Sequence, residues 1–326
     1  MPTTIPQDEL SRLCTRALQR AGEDLRAAQI LARAIVDAER AGNRAVGIAH
    51  LFDYLDAYRD GRIKPGAAPE VSRAAPSCVV ADARDGLAQV AFEDAAPALF
   101  ATTEEAGIAA LWIRRSYTCG ELGYYARRAA EQRLITVACA NSPALMSLGG
   151  SSTAVLGTNP TAYAFPRPGE PPMVIDQASS QTAYVNLRQA ATTGASIPAD
   201  WAVGPDGAAT TDASAALAGA LLPFGGYRGG NIALLVELLA TLAGGSFSLD
   251  APPFDRGSAP PGIGVFLLCL NPRAFPGSLD RIAAHLGRLR TDHGVHLPAL
   301  EQPAPGTGIA IDPELAGRLH AAAEAQ

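Results

Sequence analysis

Lysine is almost missing from this chain. Lys64 is the only one among 26 basic residues, and arginine supplies the rest. With abundant alanine, glycine and proline, this is the imprint of a GC-rich genome, and it removes Schiff-base chemistry from nearly every position. Cysteine is sparse and scattered: Cys14, Cys78, Cys119, Cys139 and Cys269 form no CxxC. An odd, dispersed set points to a reducing compartment. Cys139 and Cys269 lie in apolar runs and read as small core residues, whereas Cys119, in a Gly/Tyr-rich segment, reads as core or as the neighbour of a site. His285, His293 and His296 are close in sequence but have no metal-ligand pattern around them, and read as surface histidines. No apolar run reaches the roughly 18 residues that span a bilayer. The polar N-terminus, MPTTIPQDELSRL, is no signal peptide, so a cytoplasmic protein without a membrane partner is expected. No basic block sits beside aromatics and the net charge is -6, which argues against nucleic acid. There is no GxGxxG after a strand, no GxSxG elbow and no P-loop.

What is present is a sizeable core: 326 residues, 48% hydrophobic and 18% charged, enough for one large domain or two smaller ones. Leu10, Leu13, Leu18, Leu25, Ile30, Leu31 and Ile35 recur at helical spacing, and Ala41-Gly42-Asn43 breaks the pattern. Helical spacing resumes over 44–62 with Ile48, Leu51, Leu55 and Tyr58, and 65–69 is a loop. Residues 78–82 and 87–92 read as two short strands around the turn Ala83-Arg84-Asp85-Gly86. Residues 94–110 read as helix, 109–115 as strand, 121–132 as helix and 134–140 as a buried strand. A helix is expected over 182–192, a strongly apolar one over 231–243, a strand over 262–270 and an amphipathic helix over 277–291. A Pro-rich loop at 298–305 precedes a short apolar run, 308–312, and a last helix from Pro313. The pattern is α+β, with helices from both termini around a central αβ region.

The most informative stretch is 141–181, NSPALMSLGGSSTAVLGTNPTAYAFPRPGEPPMVIDQASSQ. It holds two small-residue turns, Gly149-Gly150-Ser151-Ser152 and Gly157-Thr158-Asn159-Pro160, and a second apolar run at 173–175 that ends in Asp176. An acidic residue at a strand end, followed by Ala178-Ser179-Ser180, suits a ligand held on backbone amides. It also suits two plain strands joined by a Pro-rich loop. Gly225-Gly226 and Gly229-Gly230 open the apolar helix, where free amides and Arg228 suit a phosphate or Arg228 faces solvent. His50 reads locally as a half-buried helix histidine.

Taken in order, Asn141-Ser142, Gly149-Gly150, Gly157-Thr158-Asn159-Pro160, Ala164-Phe165-Pro166, Val174-Ile175-Asp176 and Ala178-Ser179-Ser180 resemble the signature of the malate/L-lactate dehydrogenase-like oxidoreductases. Further along, Gly120-Glu121-Leu122-Gly123-Tyr124-Tyr125-Ala126 is similar to that family's GxxGYYA. Ile197-Pro198 with Trp201 and Asp206-Gly207 is similar to its IPxGW…DG, and Gly225-Gly226-Tyr227-Arg228-Gly229 to its GGYKG. Asp37, Gly47, Tyr54 and Gly61-Arg62-Ile63 fit its N-terminal spacing, so the resemblance covers most of 30–275. It implies a non-Rossmann fold: a helical unit from 1–75 with 277–326, and a central mixed-sheet αβ domain, 76–276, that binds NADPH or NADH. It implies a homodimer acting on a small-molecule substrate. Asp176 would lie beside the nicotinamide, and Asn141, Thr158, Asn159, Ser179, Ser180, Arg228 and Gly229 would line or hold the cofactor.

The same resemblance exposes departures. The family's Ser-His-Gly-x-x-Arg run corresponds to Ala45-Val46-Gly47-Ile48-Ala49-His50, so Val46 stands in place of the acid/base histidine and His50 in place of a carboxylate-binding arginine. A histidine usual before GxxGYYA is absent, with Tyr117, Thr118 and Cys119 nearby, and the PGE-type motif is reduced to Pro298-Ala299-Leu300. Valine cannot transfer a proton, a step typically worth about 10²–10⁴-fold. A protonated imine accepts hydride without further protonation, so a C=N substrate tolerates the loss better than C=O. The expectation is a divergent reductase of a cyclic imine or carbonyl in a small, carboxylated metabolite of specialised metabolism. His50, a helical turn from Val46, is its substitute acid or substrate anchor. The alternative is a non-redox enzyme (isomerase, lyase or cyclase) descended from the fold. Arg114, Arg115, Arg127 and Arg128 suit a 2′-phosphate or a solvated helix face.

Overall fold

The structure, a computed structural model, describes residues 2–297, 300 and 308–324. The expected loop at 298–305 and most of the PGE-type position lie outside them. In chain order the elements are β1 (Thr3–Ile5), α1 (Gln7–Arg20), α2 (Leu25–Arg40), α3 (Ile48–Arg59), β2 (Glu70–Ala75), β3 (Cys78–Asp82) and α4 (Ala88–Ala106). Then follow β4 (Ile108–Ser116), α5 (Leu122–Glu131), β5 (Ile135–Ala140), β6 (Thr161–Arg167), β7 (Glu170–Gln177) and α6 (Tyr184–Thr193). The last third holds β8 (Ala202–Val203), α7 (Ala213–Ala218), β9 (Ala220–Leu221), α8 (Tyr227–Thr241), β10 (Ile263–Leu270), α9 (Leu279–Thr291), β11 (Ile309–Ile311) and α10 (Pro313–Glu324).

Seven strands form one mixed sheet in the order β2-β3-β4-β10-β5-β6-β7. β10 lies at its centre because it can be buried on both faces, an unbroken apolar run paired antiparallel to both β4 and β5. Only β3 and β4 run parallel, joined by the α4 crossover. One core packs α4 and α5 on this sheet, through Phe92, Leu99, Tyr125, Leu111 and Leu267. A second joins the two ends of the chain: α1, α2, α3 and α10 pack around Leu10, Leu31, Leu51 and Leu319, while β1 pairs with β11. A third, small core gathers Met146, Leu187, Ile197, Trp201 and Leu221 around α6 and α7. Helix α9 has no buried residue, and it rests near β6 rather than in the core built around α10. No helix among the described residues is long and apolar enough to cross a membrane.

Two local expectations are corrected, and one strand was not anticipated. Residues 87–92 are not a strand but the start of α4, whose buried Ala88, Ala91, Ala95 and Leu99 keep helical spacing well past that window. After the loop at 65–69, residues 70–75 form β2, an exposed edge strand to which no element had been assigned. Within 141–181 the Pro-rich segment is the β6–β7 hairpin, with Ala162 opposite Asp176.

The helix expected over 44–62 is also broken. Arg44–Val46 form a single 3-10 turn, Gly47 adopts a non-helical φ of -91° and ψ of -133°, and α3 begins at Ile48. The cause lies on α2. Glu39 reaches across and accepts the Ile48 amide at 2.7 Å, so its carboxylate caps α3. A Cβ at residue 47 would collide with that carboxylate, so the position suits glycine. Val46 and His50 therefore do not share a helix face, and the i,i+4 relation expected between them is absent.

Candidate active site

A cavity of about 300 Å³ opens where the N-terminal helices, the end of β7 and α6 meet. Its wall includes His50, Val46, Asp176, Asn141 and Thr158, so the break before α3 still leaves Val46 and His50 on the same cavity as Asp176. Cys119 lines it too, and burial pushes its thiol up to about 12, so it is present as the thiol rather than the thiolate. Most of the remaining wall is apolar: Pro143, Leu145, Tyr184, Phe254 and Ile263.

Asp176 sits near the end of β7 and meets the first turn of α5, where the Gly123 amide donates to Oδ2 at 2.9 Å. The position favours glycine, since a Cβ on Gly123 would press within 3.4 Å of the Asp176 Cβ and within 3.0 Å of Glu121 Oε1. Burial raises the Asp176 carboxyl to about 7, and the carboxylate of Glu121 adds to the rise. The amides of Gly123 and Leu122 and the Arg127 guanidinium pull the other way without cancelling it. Close to neutrality this carboxyl holds a proton it can give up.

His50 is buried on α3 and has both ring nitrogens engaged. Nδ1 lies 2.8 Å from Asp53 Oδ2, and a carboxylate only accepts, so Nδ1 carries the proton of that bond. Nε2 accepts from the Thr118 hydroxyl at 3.1 Å, and that hydroxyl oxygen lies 3.0 Å from the Tyr54 hydroxyl. Burial works to raise Asp53, but hydrogen bonding to His50 and the nearby Arg188 guanidinium outweigh it and hold the carboxyl below its ordinary range. The cluster is thus an ionised carboxylate between an imidazole and a guanidinium.

The cofactor-side residues divide. Thr158 lines the cavity and its hydroxyl makes no hydrogen bond to the described residues, leaving it free for a ligand. The Asn141 side chain is used internally: Oδ1 accepts the Gly264 amide at 2.8 Å and Nδ2 donates to the Ser246 carbonyl at 2.7 Å. Asn159, at φ +37°, is buried, and its Nδ2 donates to Ala233 O and Glu237 Oε2. Glu237 also accepts from the Ser248 amide and hydroxyl, and Ser248 Oγ accepts the Gly157 amide, so this buried knot fixes the 157–160 turn that presents Thr158. Ser179 and Ser180 turn their hydroxyls onto backbone carbonyls, of Asn159 and Thr182. None of Asn159, Ser179, Ser180, Arg228 and Gly229 lines the cavity.

Arg228 and Gly229 nevertheless connect to it through the backbone. The Ser179 carbonyl accepts the Phe224 amide at 3.0 Å, and the Gln181 amide donates to Leu222 at 2.7 Å. The loop before α8 therefore starts beside the strand end that carries Asp176. There Gly225 and Gly226 have φ of +56° and +64°, with open space where a Cβ would sit, and Arg228 is exposed against the Tyr227 ring. A dinucleotide fits this layout: an apolar pocket with a free hydroxyl for its ring, and an open glycine loop with an arginine for its phosphates. The arginines offered to a 2′-phosphate are all paired. Arg114 and Arg115 hold Asp82, Arg127 holds Glu121 and Arg128 holds Glu93.

Sequence reading missed Arg188 and did not assign Asp53 or Thr118 a role. The available signal was the i,i+4 pair Tyr184 and Arg188 on one helix, both now on the cavity.

Comparisons with known proteins place this scaffold among the oxidoreductases. The sequence model of the malate/L-lactate dehydrogenase family matches residues 5–298, and the chain belongs to that family. It is 35% identical to a Δ1-pyrroline-2-carboxylate reductase of Ancylobacter novellus, over 98% of this chain and 97% of that one. It is also 35% identical to a (2R)-3-sulfolactate dehydrogenase (NADP+) of Chromohalobacter salexigens, over 93% and 92%. Among solved structures, Δ1-piperideine-2-carboxylate reductase of Pseudomonas syringae pv. tomato superposes with a TM-score of 0.90 at 30% identity, covering 98% of this chain and 99% of that one. The expected non-Rossmann family fold is the fold observed.

Proposed function

We propose that this protein reduces the C=N bond of a small carboxylated cyclic imine, or less readily a C=O bond, with NADPH or NADH. The observation that carries the reading is Asp176, a carboxyl on the cavity wall that Val46 also lines, raised by burial to about 7 and so still partly protonated at neutrality. The cofactor supplies hydride when bound at the glycine-loop side, with Thr158, Asn141, Asn159, Ser179, Ser180, Arg228 and Gly229 holding or shaping its site. The chain does the rest. Asp176 donates its proton to the imine nitrogen, which makes the carbon an iminium-like acceptor, and is reprotonated from water after the amine leaves. His50 has no free ring nitrogen to offer the substrate in this state, so its part is to hold Asp53 and Thr118 in place. Val46, at the position aligned with the family's acid/base histidine, gives an apolar surface against the ring. The names of relatives, two of them reductases of such imines, support the same substrate class.

Purified protein mixed with NADPH or NADH and a panel of cyclic imines and 2-oxo acids should oxidise cofactor fastest with an imine acid. Oxidation with none of them, together with no calorimetric binding of either cofactor, would remove the reductase reading. Cofactor that binds tightly but is never oxidised would instead favour a non-redox descendant, a reading that Val46 in the acid's place motivates.

The assembly is proposed to be a cytoplasmic homodimer, its two units falling at 1–75 with 277–326 and at 76–276, except that β2 joins the large sheet and α9 rests near β6. Leu235, Leu238 and Leu242 stand exposed along one face of α8, an apolar ribbon typical of a buried contact. Light scattering at micromolar concentration should give a dimer, and Leu235→Glu with Leu238→Glu should give a monomer. A monomeric wild type at that concentration would exclude the arrangement.

A further inference from the structure

Arg188 is the one arginine or lysine among the described residues that line the cavity. It stands on α6, with Tyr184 one helical turn before it, and 34% of its side chain remains exposed. It is held loosely. Nη1 and Nη2 lie 3.4 Å from the two oxygens of Asp53, longer than the roughly 2.7–2.9 Å of a strong charged hydrogen bond. Asp53 is also shared, because His50 Nδ1 takes the shorter contact at 2.8 Å. The carboxylate is therefore drawn toward the imidazole and only partly neutralises the guanidinium. Arg188 has no other side-chain hydrogen bond to the described residues, so most of its N–H donors are open.

An arginine with spare donors, the one cationic side chain of its type among the described residues of a largely apolar wall, suits a planar anion. We infer that Arg188 binds the carboxylate of the substrate and so selects ring acids over uncharged rings, with Asp53 aiming the guanidinium into the cavity. The resemblance to the family's Ser-His-Gly-x-x-Arg run implies that His50 stands where that arginine would, and His50 has no free nitrogen for a carboxylate. The cation has moved to a different helix. The substrate ring then lies against Tyr184, Phe254 and Val46, within reach of Asp176 on the same cavity.

This inference rests on the proposed imine reduction for its substrate, but its test does not depend on turnover. Calorimetry with two non-reducible probes, pyridine-2-carboxylate and pyridine, reads the preference for the acid directly. Wild type should bind the acid more tightly, and Arg188→Met and Arg188→Gln should lose that preference by on the order of 10–100-fold, as expected for a lost charged hydrogen bond. Arg188→Lys should keep part of it. Where the wild type turns over an imine, the same variants should raise KM for the imine acid and leave that for the decarboxylated imine and for NADPH unchanged. No preference in the wild type, or a preference retained in both Arg188→Met and Arg188→Gln, overturns the assignment. So does an equal loss on charged and uncharged rings. If wild type oxidises no cofactor but shows the Arg188-dependent preference, the reductase reading fails and the anion site stands.

Discussion

Asp176→Asn will lower kcat by about 10²–10⁴-fold, the usual worth of a general acid, while leaving the KM for NADPH or NADH close to that of wild type. Asparagine keeps the shape, and its Oδ1 can still accept the Gly123 amide that Asp176 Oδ2 accepts at 2.9 Å, so the start of α5 is preserved. What disappears is the proton. Because the carboxyl is raised to about 7, the wild-type rate should be level in mild acid and fall as pH climbs through about 7, with the residue losing the proton it must donate. The variant's small residual rate should lack that fall. Stability gives a second readout of opposite sense. Asp176 binds its proton more tightly in the folded state than in the unfolded chain. Its contribution to stability is therefore largest below the ordinary carboxyl range and declines as pH rises toward about 7. Thermal melts across that window should show wild type losing ground to Asp176→Asn. A variant with wild-type kcat and an unchanged pH profile would take Asp176 out of the chemistry.

Arg127→Met will destabilise the protein by roughly 3–5 kcal/mol, the cost typical of leaving one half of a buried ion pair without its partner. Arg127 and Glu121 are both almost fully buried, joined by two hydrogen bonds of 2.8 and 3.1 Å, and Glu121 also accepts from Asn43 at 3.2 Å. Methionine fills the volume of the arginine stem but strands the Glu121 charge. Since whole domains are typically stable by only about 5–15 kcal/mol, the shift in denaturant midpoint should be large. Glu121→Gln in the same chain should recover part of it. Arg127 also holds Asp176 down, so in a variant that still folds the fall in rate should move to higher pH. A midpoint equal to wild type would show that water, rather than Arg127, satisfies Glu121.

The central strands and the first helices were legible because long periodic segments carry them: 134–140, 262–270 and the leucines of α1 and α2 all fold as read. The run at 87–92 was not, because Leu-Ala-Gln-Val-Ala-Phe alternates as well as it spirals, and only Ala95 and Leu99 farther on decide for helix. The break at Gly47 was hidden for a different reason. It is imposed by Glu39 from a neighbouring helix, and no local spacing reports that. Asp176 and Val46, picked out by motif order, both fall on the cavity wall. The consumption of Asn141, Asn159, Ser179 and Ser180 in internal bonds was not, since a polar side chain in a motif looks alike whether it faces a ligand or a carbonyl. Arg188 was invisible because its meaning comes from Asp53, which is 135 residues away in sequence.

Both margins of the seven-stranded sheet refuse a further strand. On one side β2 is exposed along its whole length and carries Glu70 and Arg73. On the other, β7 begins with Glu170-Pro171-Pro172, and proline has no amide proton to offer a newcomer. Growth by strand addition, the route into fibrils and swapped sheets, is thus discouraged at each end. A chain with both sheet margins closed in this way can stand at high concentration without its sheet becoming a template for aggregation.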